Sequence, residues 1–179
     1  YGVKIFDQRA GAFADMINKL RTDLQAKGVD PSIPFDRWEK SKNRVQESKN
    51  LEATIKDADL VIEAVPENIE LKQEVFQELG QKSPPEAILA TNSSSIPVSN
   101  LEQSSGRPER CLNIHFYMVL QGMNIADVMG GSRTLPEVME KGISWVRSLG
   151  CIPLTVKKEL LGFCFNRVWR AIKRETLFM

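Results

Sequence analysis

Leu60-Val61-Ile62-Glu63-Ala64-Val65, closed by Pro66-Glu67-Asn68, is the stretch on which the fold turns. It is a compact, β-branched run, the pattern of a strand buried on both faces of a parallel sheet. Asn68 then opens a helix whose buried face is Leu71, Val75, Phe76 and Leu79. Pro84-Pro85 separates that helix from a second buried strand, Ala87 to Thr91, which runs out into the polar turn Asn92-Ser93-Ser94-Ser95. Strand, helix and strand in this order is the unit of a parallel α/β sheet.

The same alternation extends both ways. Upstream, Val3 to Phe6 reads as a strand running into Asp7, and Ala12 to Ala26 as a helix with Phe13, Met16, Ile17, Leu20 and Leu24 at helical spacing. Gly28 stops this helix, and Asp30 to Pro34 is a turn leading into the highly charged stretch Arg37 to Lys49, expected to be a second, solvated helix or a lid. Downstream come strand-like runs at Cys111 to Phe116 and Met123 to Met129, a helix from Pro136 to Leu149 and a strand from Ile152 to Val156. Crossovers long enough for helices predict Val3–Phe6, Leu60–Val65 and Ile88–Thr91 as parallel neighbours in one sheet, with an antiparallel addition late in the chain. From Phe163 onward the sequence is helical again, and its apolar residues Val168, Trp169, Ile172, Leu177 and Phe178 predict a face that packs against a second domain.

Composition excludes several classes of function. Twenty-four Lys and Arg against 23 Asp and Glu leave a net charge of +1, with no basic run to make a nucleic-acid surface. The three cysteines, Cys111, Cys151 and Cys164, form no CxxC pair, so neither a zinc site nor a disulfide framework is expected, and a reducing, cytoplasmic compartment is. No apolar run approaches the roughly 18 residues of a membrane span.

Three places carry residues suited to chemistry. A carboxylate at a strand end, here Asp7, can accept hydrogen bonds from both hydroxyls of an adenosine ribose, although such an Asp also serves as a turn or cap residue. If their strands are parallel, Val65-Pro66-Glu67-Asn68 and Asn92-Ser93-Ser94-Ser95 flank one crevice at the sheet's carboxyl edge; a plain reading as helix caps and turns stands beside this one. His115, the one histidine, ends an apolar strand, and Asp127 lies on the next strand-like run. If those two runs pair, the carboxylate can orient and stabilise a base, whereas alone the histidine reads more readily as structural or exposed.

Asp59 through Lys72 with its ValProGluAsn strand end, Ala90-Thr91-Asn92-Ser93-Ser94-Ser95, His115-Phe116, and Gly162-Phe163 with Asn166-Arg167 together resemble the L-3-hydroxyacyl-CoA dehydrogenase family. The resemblance implies a Rossmann-like, mostly parallel α/β domain over residues 1–158, here without its first strand and GxGxxG loop, and over 159–179 the first helix of a helical domain. It implies NAD as cofactor, held by Asp7, Val65, Pro66, Glu67, Lys72 and Asn92. His115 would be the general base on the 3-hydroxyl of an acyl-CoA, Asp127 its support, Ser94 a hydrogen-bond partner of the hydroxyl and Asn166 a group positioning the carbonyl end. A homodimer is implied for the full-length protein, and an inactive fragment for this chain alone.

The departures from the family pattern are specific. Asp127 stands where the family has Glu, retracting the carboxylate by roughly an ångström. After His115-Phe116 the chain reads Tyr117-Met118-Val119 where the family has Phe-Asn-Pro, and Asp23 replaces a serine that in some members touches coenzyme A. Lys19, Arg21 and Lys27 could offset that acidic charge. Two alternatives therefore stay open beside the acyl-CoA reading: a related hydroxy-acid or sugar-acid dehydrogenase, and a non-catalytic nucleotide-binding relative.

Overall fold

The computed structural model describes residues 1–26, 28, 40, 42–117 and 124–178, which fall into two compact units, Tyr1–Lys56 and Asp57–Met179. The turn at Asp30–Pro34, the first part of the charged stretch, and Met118, Val119 and Met123 lie outside the described residues.

In the first unit β1 (Val3–Ile5) is joined through α1 (Ala12–Ala26) to β2 (Val45–Glu47), and the two strands pair in parallel with Val3 opposite Val45. A short helix, α2 (Leu51–Ile55), follows, capped by Asn50, whose side chain accepts the Ala53 N–H at 2.8 Å. Two expectations are corrected here. Val45 to Glu47 is a strand, not part of a solvated helix or lid, and β1 lies in a two-stranded sheet with β2 instead of in the sheet of the later strands. A helical crossover fixes the relative direction of two strands without fixing which strand comes to lie beside which.

The second unit is built on a five-stranded sheet in the order β3 (Leu60–Glu63), β4 (Ile88–Thr91), β5 (Cys111–Phe116), β6 (Ile125–Gly130), β7 (Ile152–Val156). β3, β4 and β5 are parallel, β6 runs antiparallel to β5, and β7 is parallel to β6. The mostly parallel sheet and its one antiparallel step are as the sequence predicts.

Two helices position this sheet. α3 (Ile69–Lys82) starts at Asn68, whose side chain accepts the Leu71 N–H at 2.8 Å, and it buries Phe76 and Leu79. Its Gly80 lets the Ser105 backbone approach so closely that a Cβ there would sit 1.8 Å from Ser105 O. α4 (Pro136–Ser148) lays Val138, Ile143 and Val146 on Leu112, Ile114, Ala126 and Val128, the main apolar core. Last comes α5 (Phe165–Thr176), on which Val168, Trp169 and Ile172 are exposed. Among the described residues no helix is long and apolar enough to cross a membrane.

Candidate active site

Strand alternation does the first part of the assembly. Leu112 and Ile114 of β5 join the core under α4, so Asn113 and His115 face the opposite side, and the β5–β6 register sets His115 directly across from Asp127. The two side chains are 10% and 0% exposed, with Nδ1 and Oδ2 3.7 Å apart. That distance is short enough for charge to be felt and too long for a hydrogen bond. Neither His115 Nδ1 nor Asp127 Oδ1 has a hydrogen-bond partner among the described residues.

Tyr117 fills part of that gap. Its hydroxyl donates to Asp127 Oδ2, and its ring meets the imidazole edge-on with centroids 4.6 Å apart. Burial, then the hydrogen bond to Asp127 and that carboxylate's charge, push the Tyr117 phenol far above its ordinary pKa. Phe163 closes another side of the imidazole at 5.6 Å. It is 1% exposed and holds φ at +49° directly after Gly162 at +78°, a left-handed pair unusual for a bulky residue.

The crevice between the ends of β3 and β4 is organised by carboxylates. Glu67 Oε1 accepts from Ser93 Oγ, from Ser95 Oγ at 2.6 Å and from the Ser95 and Ile96 N–H groups at 3.0 and 3.3 Å. Burial by itself would raise the pKa of Glu67, but the Ser93 and Ser95 hydrogen bonds and the charge of Lys72 outweigh it and hold the carboxyl at about 2. Asn92 ties the crevice to the strand of His115, its Oδ1 accepting the Phe116 N–H at 3.0 Å. Asn166 Nδ2 reaches Ser94 O at 3.5 Å. Since Asn166 follows shortly after Phe163, one segment touches both His115 and the serine turn.

Lys72 lies beneath the crevice, on α3. It is 1% exposed, and its ammonium has three acceptors: Glu63 Oε1 at 2.7 Å, Val65 O at 3.1 Å and Glu67 Oε2 at 3.4 Å. It therefore reaches the crevice through its partners. Val65 is bound into the same group, its N–H donating to Glu63 Oε1 at 2.6 Å, and Pro66 O accepts the Asn68 N–H at 2.7 Å. In the first unit Asp7 stands exposed beyond β1, with Oδ1 accepting the Arg9 N–H at 2.7 Å.

The sequence reading missed a polar layer beneath the crevice. Glu63 Oε2 accepts from Thr91 Oγ1 at 2.8 Å, and Asn113 Nδ2 donates to Ser93 O at 3.1 Å. Its signals were a single charge in the apolar run 60–65 and a polar residue two before His115, hence on the same face. Tyr117, two after, is signalled in the same way. Among the described residues no group of three or more His, Cys, Asp or Glu side chains could hold a metal ion.

Residues 1–160 match the family described as 3-hydroxyacyl-CoA dehydrogenase, NAD binding domain. The chain belongs to this family. NAD is accordingly its cofactor, and the α/β architecture is Rossmann-like. Among relatives of the 3-hydroxyacyl-CoA dehydrogenase domain, an L-carnitine dehydrogenase of Pseudomonas putida is 32% identical over 87% of this chain and 46% of its own. A probable 3-hydroxybutyryl-CoA dehydrogenase of Deinococcus radiodurans is 36% identical over 68% of this chain and 43% of its own. A solved diketoreductase superposes with a TM-score of 0.82 at 30% identity, covering 96% of this chain and 61% of that one. The chain spans about half the length of the curated relatives it matches. Of the departures from the 3-hydroxyacyl-CoA dehydrogenase pattern, Asp127 and Tyr117 meet each other beside His115, Asp23 lies exposed on α1, and Met118, Val119 and Lys27 are outside the described residues.

Proposed function

We propose that the protein containing this chain oxidises the 3-hydroxyl of an (S)-3-hydroxyacyl-CoA to the 3-ketoacyl-CoA. One observation carries the reading: the segment 163–166 packs Phe163 on His115 and bonds Asn166 to the Ser94 turn, so base, hydroxyl partner and carbonyl-positioning group converge. NAD, when bound, accepts the hydride from C3. His115 takes the hydroxyl proton on Nε2, since Nδ1 faces Asp127, whose carboxylate stabilises the imidazolium. Ser94 Oγ orients the hydroxyl and Asn166 the carbonyl end.

The residues present fit NAD. Asp7 is exposed at a strand end with one oxygen engaged by Arg9 N–H, which leaves the other for a ribose hydroxyl. Val65, Pro66, Glu67 and Asn92 line the β3 and β4 ends where the nicotinamide half belongs, with Lys72 fixing that wall from behind. We take residues 1–158 as the NAD domain and 159–179 as the start of a helical domain, in a cytoplasmic homodimer.

A second reading keeps the chemistry and replaces the thioester with a small free 3-hydroxy acid. Asp23 on α1 favours it by repelling a phosphate-rich ligand, and the similarity to L-carnitine dehydrogenases points the same way. NADH formation by the full-length protein, with (S)-3-hydroxybutyryl-CoA and L-carnitine compared by kcat/KM, separates the two. Turnover of neither, nor of any 3-hydroxy acid, would leave a non-catalytic nucleotide-binding module.

A further inference from the structure

Asp127 is fully buried, and a buried carboxylate needs partners to offset lost hydration. Its Oδ2 is engaged by the Tyr117 hydroxyl and faces His115 Nδ1 across 3.7 Å, while Oδ1 has no hydrogen-bond partner among the described residues. Tyr117 thus stands as a competitor for the very oxygen that points at the base. It occupies a position where the family pattern has a phenylalanine, which carries no donor, and Asp127 one where the pattern has the longer Glu. The two departures touch each other, and each makes sense of the other: a shortened carboxylate falls back from the imidazole, and a hydroxyl takes up its oxygen.

We propose that Tyr117 is a positioning residue for the base: by donating to Asp127 Oδ2 it holds the carboxylate off His115 Nδ1 and so sets how strongly the ring binds a proton. A donated hydrogen bond draws negative charge toward the hydroxyl and weakens the carboxylate's pull on an imidazolium. Holding the oxygen beyond hydrogen-bond distance weakens it again. Both effects act in one direction: they weaken the carboxylate's hold on a proton at Nδ1. Among the described residues, the groups that face the imidazole are Asp127 from β6, Tyr117 from the end of its own strand, and the non-titrating Phe163 from the 160–164 turn, where the Cys164 thiol lies near Tyr117.

For its effect on turnover this inference rests on His115 being the base, but its test does not. His115 is the chain's single histidine, so one set of imidazole nitrogen resonances reports it without ambiguity. In a 15N NMR titration of the 179-residue chain, Tyr117→Phe should raise the ring's midpoint by about half a pH unit or more, and Asp127→Asn should lower it. If Tyr117→Phe fails to fold, biosynthetic 3-fluorotyrosine keeps the ring's shape and strengthens the donor. The chain has only two tyrosines, the other being exposed Tyr1, and the midpoint should then fall. In the full-length protein, Asp127→Glu on the Tyr117→Phe background brings the carboxylate toward Nδ1 with no hydroxyl to hold it off, and should displace the acidic limb of the kcat/KM profile upward at least as far as Tyr117→Phe alone does. A midpoint unchanged or lowered in Tyr117→Phe, or unmoved by fluorotyrosine, overturns the proposal. Dehydrogenase turnover lost with the titration shifts intact would overturn the functional reading instead.

Discussion

The Asn92 side chain accepts the Phe116 N–H at 3.0 Å, fastening the turn that carries Ser94 to the residue next to His115. The turn after β4 and the end of β5 are thereby tied by a hydrogen bond between neighbouring parallel strands. For the proposed chemistry, hydroxyl partner and base need to be placed to within a fraction of an ångström, and a half-buried tether of this kind contributes to that precision.

Replacing His115 by Gln keeps a polar side chain of similar reach and removes the titrating group. Turnover of the full-length protein should fall roughly 100-fold or more with NAD affinity close to unchanged. Stopped-flow NADH formation and a binding titration measure the two quantities separately, and near-normal turnover would exclude His115 as the base.

The polypeptide of residues 1–179 contains no GxGxxG sequence, so taken by itself it lacks the backbone amides that a pyrophosphate uses in this fold. Isothermal titration of that polypeptide should give an NAD affinity much weaker than the full-length protein's, and no turnover. Micromolar binding would mean that other amides take over the pyrophosphate.

Lys72→Met should destabilise the chain by about 3–5 kcal/mol, because it leaves the buried Glu63 carboxylate without its counter-charge. Adding Glu63→Gln should recover much of that loss, which a urea-denaturation cycle of the two single variants and the double would show. Independent, additive losses would mean that the pair is not coupled.

Glu67 carries a pH dependence of known sign. Its carboxyl is held at about 2 against an ordinary 4.5, so the folded state binds its proton less readily than the unfolded state does. The stability this provides is complete above pH 4.5 and is lost as pH falls toward 2. Denaturation midpoints measured across that interval should drop less steeply for Glu67→Gln than for the parent chain, and parallel curves would contradict the hydrogen-bond arrangement at the serine turn.

Much of the sheet was legible because its strands are short apolar runs bounded by turn residues: Cys111 to Phe116 and Ile152 to Val156 match the strands residue for residue, and Asn68 caps α3 as read. Val45-Gln46-Glu47 was not, since one apolar residue among charged neighbours carries no period and the strand exists only through its pairing with β1. At the site, the His115–Asp127 opposition followed from pairing two adjacent runs. The Tyr117 contact did not, because strand alternation tells which face a side chain takes and not what it meets there. Lys72 falls outside the buried face read for its helix, Leu71, Val75, Phe76 and Leu79, and only the packing of α3 on β3 buries it against Glu63.

The left-handed pair Gly162-Phe163 has a mechanical meaning. The phenyl ring against His115 and the Asn166 amide on Ser94 both hang from that one turn, a lever at the root of α5. Tilting that lever would wet the imidazole and release the serine turn in the same motion. Exposure of the His115 ring and loss of the hold on the Ser94 turn are then a single event.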